Sequence, residues 1–170
     1  MLHDLIAVKP AGVLNNLDAM LDKAAAYAES KGFEFTVLLN SRLAPDQFHL
    51  TRQIQIACDT SKLSAARLCG KEKEAPVHED NEATLEQLRT RIASVVDYLG
   101  NFNPVDFAGA EERNISLPRW KEKYLTGYEF AINYAIPNFY FHIATAYAIL
   151  RHNGVDLGKR DYLGTLPFKK

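Results

Sequence analysis

The sequence predicts an all-α protein built as a four-helix bundle. Four segments place apolar residues at the three- and four-residue spacing of an amphipathic helix, and few segments alternate in the manner of a strand. Glycine, proline or short polar runs separate these segments, and such residues end helices. Because amphipathic helices bury their apolar stripes against one another, four of them favour a bundle around one core.

The first predicted helix runs from about Leu2 to Lys31, where leucine and alanine recur at helical spacing. Gly32 follows as a normal helix stop. Pro10 lies inside the segment, so the helix either begins there or is kinked there. The connection that follows, residues 33–44, is rich in apolar side chains and should pack against the bundle.

The second predicted helix begins at Pro45 and Asp46, because proline suits the first turn of a helix. It runs to about Leu68 and stops at Gly70. The polar stretch of residues 71–82 then predicts an exposed loop.

Thr84 and Gln87 form a predicted capping box, which starts a third helix over residues 85–99. Residues 103–120 contain two prolines and a glycine. We therefore expect a loop-rich segment between the third and fourth helices, with a short extended piece at residues 114–117.

The fourth predicted helix runs from Leu125 or Tyr128 to His152, and Gly154 supplies the left-handed residue that ends it. No internal repeat, low-complexity tract or linker marks a second domain. The sequence therefore predicts a single helical domain over residues 1–170.

Composition argues against nucleic-acid and membrane functions. The 170 residues include 20 basic and 21 acidic ones, a formal net charge of -1, whereas a nucleic-acid-binding protein usually carries a basic patch. No apolar stretch approaches the ~20 residues needed to span a bilayer. The first residues lack the basic start and apolar run of a signal peptide, so we expect a cytoplasmic location.

His142 is the strongest candidate for a functional residue. It lies among apolar neighbours in the fourth helix, so we expect its imidazole to be buried, and a buried imidazole needs hydrogen-bond partners. Asn138 and Thr145 share its helix face. A hydrogen-bonded core histidine without a ligand is the simpler interpretation, and a ligand or metal site is the functional one.

A polar stripe on the second helix could complete such a site. His49, Gln53 and Thr60 share one face of that helix. If this face meets the face of His142, a polar pocket forms between facing helices, with either His49 or Gln53 opposite the imidazole. The predicted ligand-binding residues are Gln53, Asn138, His142, Tyr140 and Trp120.

Three stretches of the chain resemble a bacterial and fungal family of unknown function within the DinB/YfiT-like superfamily. They are residues 41–48, residues 137–155, which include the run from Pro137 to His142, and residues 158–164. The resemblance covers essentially the whole chain. It implies an up-down-down-up four-helix bundle that is often a homodimer.

The resemblance also implies chemistry, because many members of the superfamily bind nickel or zinc through three histidines and several transfer low-molecular-weight thiols. In that pattern an arginine follows the last histidine by nine residues, as Arg151 follows His142 here. Asn138 then stands where another histidine belongs. If His142 is instead the first of the pair, Ala146 takes the partner position. The triad is incomplete in both alignments.

The second-helix ligand of the superfamily corresponds to His49 or Gln53, so the resemblance implies His49 and His142 as the metal ligands of a degenerate site. Three hypotheses follow. The first is a small polar ligand bound in the bundle pocket, with a weak metal site or none. The second is a nickel- or zinc-dependent hydrolase or thiol transferase. The third is a dimeric structural or interaction protein whose polar stripe is only a core network, and whether the chain is an enzyme stays open.

Overall fold

Amphipathic segments form the bundle in the computed structural model, which describes residues 1–169. In chain order the α-helices are α1 (Lys9–Lys31), α2 (Thr36–Leu39), α3 (Leu50–Cys69), α4 (Leu85–Gly100), α5 (Gly127–Phe130), α6 (Ile136–His152) and α7 (Lys159–Leu163). The two-residue strands β1 (Asn114–Ile115) and β2 (Leu125–Thr126) pair antiparallel. The long helices α1, α3, α4 and α6 enclose one apolar core.

Helices α1 and α4 are antiparallel neighbours. Before the start of α1, His3 Nε2 lies 3.0 Å from the carbonyl oxygen of Phe102, just beyond the end of α4. Further along α1, Asp22 pairs with Arg89 in the first half of α4. The two helices therefore run in opposite directions.

Helices α1 and α6 are parallel neighbours. Pro10 at the start of α1 and Ile136 at the start of α6 line one small cavity. At the other end of this pair, a Cβ atom on Gly154 would lie only 2.5 Å from the Tyr27 hydroxyl oxygen. The two helices consequently begin at the same end of the bundle.

Helices α3 and α4 are also parallel. Arg91 of α4 donates to the carbonyl oxygen of Gln55 in the first half of α3, at 3.3 Å. Just past the end of α3, the Lys71 ammonium lies 5.5 Å from the ring centre of Phe102, which follows α4. If α1 is taken as running up, α3 and α4 run down and α6 runs up. This order confirms the expected up-down-down-up bundle.

The second long helix starts later than predicted. The sequence places its start at Pro45, but α3 begins at Leu50, and His49 is extended. The Leu50 amide donates to the carbonyl oxygen of Ser41 at 3.0 Å, so residues 41–49 close as a loop whose end supplies a partner for the first turn of α3. Pro45 therefore lies in a turn of this loop and not in the first turn of α3.

Both helices that contain an early proline begin with a π-helical turn. The π turn Asp4–Val8 precedes α1 and Pro10, and the π turn Ala131–Ala135 precedes α6 and Pro137. A wider turn accommodates the missing proline N–H without breaking the helix. The predicted fourth helix is therefore helical from Gly127, between its two expected starts, to His152. No helix within residues 1–169 is long and apolar enough to cross a bilayer.

A buried arginine fastens the loop between α3 and α4 to the bundle. The Arg91 guanidinium is almost fully buried and pairs with Asp59 at 2.8 Å, Asp80 at 2.6 Å and Glu82 at 3.0 Å. Two of these carboxylates belong to the 71–82 loop that the sequence predicts to be exposed. Charged loop residues turn inward here because a buried guanidinium requires partners.

Replacing Arg91 by alanine should leave three carboxylates without their shared partner. We expect Arg91→Ala to lower the free energy of unfolding by about 3–5 kcal/mol in urea titrations, the usual effect of breaking a buried ion pair. Arg89→Ala is the matched control on the same helix, since its partners Asp18 and Asp22 are partly exposed, and it should cost at most about 1 kcal/mol. Equal losses in the two variants would contradict a structural role specific to Arg91.

Candidate functional site

A hydrogen bond between α3 and α6 organises the candidate site. His142 is 7% exposed, and its Nδ1 lies 2.7 Å from Oε1 of Gln53. The Gln53 amide nitrogen donates to the carbonyl oxygen of Phe48 at 3.0 Å, which directs the amide oxygen at the imidazole. Because an amide oxygen can only accept, Nδ1 of His142 carries the proton.

The second ring nitrogen of His142 is therefore a hydrogen-bond acceptor. Burial lowers the pKa of His142 to about 4, with the positive charge of Arg52 as a further cause, so the imidazole is neutral at pH 7. Nε2 then bears a lone pair. Within residues 1–169 it has no hydrogen-bond partner, and it is not sealed from solvent.

A cleft of about 550 Å³, which His142 lines, opens between α3, α6 and the segment after β1. The uncharged polar residues of its lining are Thr60, Ser64, Asn138 and His142, and Asn138 donates to the Thr60 hydroxyl at 2.9 Å. The apolar and aromatic residues of the lining are Phe48, Ile56, Leu63, Leu117, Pro118 and Tyr134. Charged side chains complete the lining, namely Arg52, Asp59, Arg67 and Arg119.

The structure separates the predicted ligand-binding residues into two groups. Asn138 and His142 line the cleft, and Gln53 lies behind His142 as its partner. Tyr140 points away from the cleft and borders a small cavity near the start of α1. Trp120 packs edge-on against Tyr134, with ring centres 5.4 Å apart, but lies outside the cleft.

Of the two second-helix residues left open by the sequence, Gln53 is the one that contacts His142. His49 precedes α3 and does not line the cleft, and burial together with the charges of Arg42 and Arg52 lowers its pKa. No three His, Cys, Asp or Glu side chains among the described residues group as metal ligands.

The donor set beside the imidazole does not fit nickel or zinc. These metals take histidine, cysteine or carboxylate ligands, whereas the neighbours of His142 are the amides of Gln53 and Asn138. Both amides already engage protein partners, Phe48 and Thr60 respectively, through their nitrogens. One imidazole nitrogen alone cannot supply the three protein ligands of the superfamily site.

Sequence reasoning missed the arginines of the cleft. Arg52 and Arg67 lie on the same face of α3 as Ile56 and Leu63. Their helical spacing could therefore have placed them at the cleft from the sequence alone. Arg119 gave no such signal, since an irregular segment brings it to the cleft.

Comparisons with known proteins agree with this fold. The model of a family described as a domain of unknown function, DUF1993, matches residues 2–163. A crystal structure of a DinB family member from Shewanella denitrificans is 60% identical, with a TM-score of 0.98, and the alignment covers 100% of this chain and 96% of that one. No curated protein matches the chain.

Placing a carboxylate beside the imidazole should raise the pKa of His142. We expect NMR titration of the wild-type imidazole to give a midpoint of about 4. In Gln53→Glu the new negative charge favours the protonated ring, so the midpoint should move up toward the ordinary value of about 6.5. Gln47→Glu adds the same charge outside the cleft and should leave the midpoint in place. A wild-type midpoint near 6.5 would refute the buried, neutral imidazole.

Proposed function

The chain belongs to the DUF1993 family of DinB-like proteins, and on that premise we propose that it binds a small polar molecule in the cleft between α3 and α6. The observation that carries the proposal is the accessible, unpartnered Nε2 of His142. Its neighbours hold the ring in one tautomer, so the cleft presents a hydrogen-bond acceptor in a defined direction.

The partners of His142 explain why a ligand would gain from this nitrogen. Gln53 occupies Nδ1 and is itself held by the carbonyl of Phe48, so the ring is oriented before any ligand arrives. An acceptor on a largely buried side chain gains a hydrogen bond when a ligand O–H or N–H reaches it. Preorganisation of this kind reduces the entropy lost on binding.

The shape of the cleft supports a small organic ligand. A volume of about 550 Å³ lies within the usual range of roughly 300–1,000 Å³ for small-molecule sites. Phe48, Ile56 and Tyr134 offer apolar and aromatic contact, and Asn138 and Thr60 offer polar groups. Side chains leave this space open, which favours ligand binding over a purely structural polar network.

Metal-dependent hydrolysis or thiol transfer is the alternative that the superfamily suggests. It requires ligands in addition to His142, and the amides of Gln53 and Asn138 make poor ones for nickel or zinc. We therefore propose a ligand-binding role with at most a degenerate metal site. Elemental analysis of protein purified without a histidine tag should find nickel and zinc well below one per chain. A stoichiometric metal that disappears in His142→Ala would favour the enzyme.

Binding at the cleft can be followed on the histidine side chains themselves. We expect phenol, a neutral probe with one O–H donor, to shift the ring signals of His142 in NMR spectra and to leave those of His3 and His152 unchanged. Because the probe would donate to Nε2, His142→Gln should weaken its binding, while His152→Gln, at the exposed end of α6, should not. Shifts spread evenly over all histidines, or none at saturating phenol, would count against the proposal.

A homodimer is a separate proposal, based on the family and supported by apolar side chains that the monomer leaves exposed. Tyr128 is 45% exposed, Ile132 41% and Phe141 56%, all on the last helical stretch. Sedimentation should give twice the chain mass of 19.1 kDa, and Phe141→Lys should shift the protein to the monomer. A monomeric wild type would refute this proposal. A cytoplasmic location stays a prediction.

A further inference from the structure

We infer that the ligand of the cleft carries an anionic group, a carboxylate or a phosphate monoester, which binds at the end of the cleft formed by Arg119. The inference rests on the proposed function, and it names the class of molecule that this site takes. It follows from how charge is distributed around the cleft in a chain whose net charge is -1.

The cleft lining carries more positive than negative charge. Arg52, Arg67 and Arg119 face a single carboxylate, that of Asp59. Asp59 forms ion pairs with Lys62 and with Arg91, each at 2.8 Å, and neither of these partners lines the cleft. Its negative charge is therefore already neutralised. The acidic group in the lining therefore does little to repel an anion.

The arginines differ in how far their own charge is balanced. Arg52 pairs with Asp80, a carboxylate that it shares with the buried Arg91, and Arg67 pairs with Glu72 at 2.9 Å. Arg119 has no carboxylate within 4.0 Å among residues 1–169. Among the arginines of the cleft, Arg119 is therefore the one whose positive charge no carboxylate neutralises within residues 1–169, so it can pair with an anionic ligand.

Tyr134 holds the guanidinium of Arg119 at the cleft. The guanidinium carbon lies 5.2 Å from the ring centre of Tyr134, and the same group donates to the Tyr134 hydroxyl. Tyr134 itself lines the cleft and stacks on Phe130. An arginine oriented on an aromatic ring keeps further N–H groups for a bidentate contact with a carboxylate or phosphate.

The chain around Arg119 strengthens the positive field. Lys121 and Lys123 are exposed and form no ion pair within the described residues, and only Glu122 lies between them. These two lysines do not line the cleft but share a neighbouring pocket with Arg119. Basic side chains close to a binding site raise the local concentration of anions. The end of the cleft that Arg119 forms is called its cationic end below.

The cationic end and the imidazole suggest two contacts on one ligand. Tyr134 and His142 stand eight residues apart on the last helical stretch, which corresponds to about 12 Å along the axis. A molecule that donates a hydrogen bond to Nε2 of His142 would place its anionic group toward Arg119. Arg52, beside His142, adds positive charge at the other end of the cleft.

Three probes of similar size isolate the contribution of charge: phenyl phosphate, benzoate and the neutral benzamide. Binding is measured at low salt from the NMR signal of the Trp120 indole, the only tryptophan in the chain, whose ring lies 5.4 Å from that of Tyr134. We expect one or both anions to bind at least about tenfold more tightly than benzamide, and to weaken as salt is added. The stronger of the two identifies the anionic group.

Arg119→Gln removes the charge and retains hydrogen-bonding ability, and it should weaken anion binding about tenfold or more. Arg160→Gln is the matched control, because Arg160 is exposed on α7, makes no ion pair among residues 1–169 and lies outside the cleft. Benzamide binding should be unchanged in both variants. Circular dichroism confirms that each variant is folded.

The inference is overturned if benzamide binds as tightly as the anions, if no probe binds, or if Arg119→Gln and Arg160→Gln behave alike. These outcomes differ from failure of the proposed function, which is decided by the effect of phenol on the His142 signals. A shift of His142 with phenol, without any preference for anions at Trp120, would leave the proposed function standing and remove the anionic ligand.

Discussion

The hydrogen bond between Gln53 and His142 is the interaction on which the site depends. It joins the neighbouring helices α3 and α6, and it fixes the orientation of the buried His142 ring. The bond exists because Phe48 lies outside the helix, where its carbonyl accepts from Gln53 and not from the backbone of α3. The late start of α3 is thus part of the site, since it leaves this carbonyl available.

Helix α3 carries polar groups on two sides, and the two sides have different consequences. Toward α4, Gln55 and Asp59 belong to the network around Arg91, where carboxylates and guanidinium satisfy one another. Toward α6, charged side chains of α3 line the cleft beside uncharged ones, and His142 on α6 keeps one ring nitrogen without a partner among residues 1–169. The network facing α4 stabilises the packing of α3 against α4. The groups facing α6 leave hydrogen-bonding capacity for a ligand. Asp59 touches both sides, because it pairs with Arg91 and also lines the cleft.

The sequence predicted the bundle well because helical periodicity reports directly which face is buried. It also predicted that His142 is buried and that a second-helix residue stands opposite, since both lie in clear stripes. It could not choose Gln53 over His49, because that choice depends on where α3 begins and hence on a loop contact between Ser41 and Leu50. Periodicity says nothing about irregular segments, so Arg119, which such a segment brings to the cleft, was outside its reach.

The amides beside His142 distinguish this site from the metal site that the resemblance implies. In the alignment that places Gln53 and Asn138 at two of the three histidine positions, both positions carry amides, and each amide nitrogen is used within the protein, toward Phe48 and Thr60. An imidazole held by an amide keeps its lone pair without needing a cation to stabilise it. The positive charge near the cleft then comes from arginine side chains, which bind anions through directed N–H groups and do not activate water as a metal does. Recognition, with charge supplied by the protein itself, is therefore the function that we propose for this arrangement.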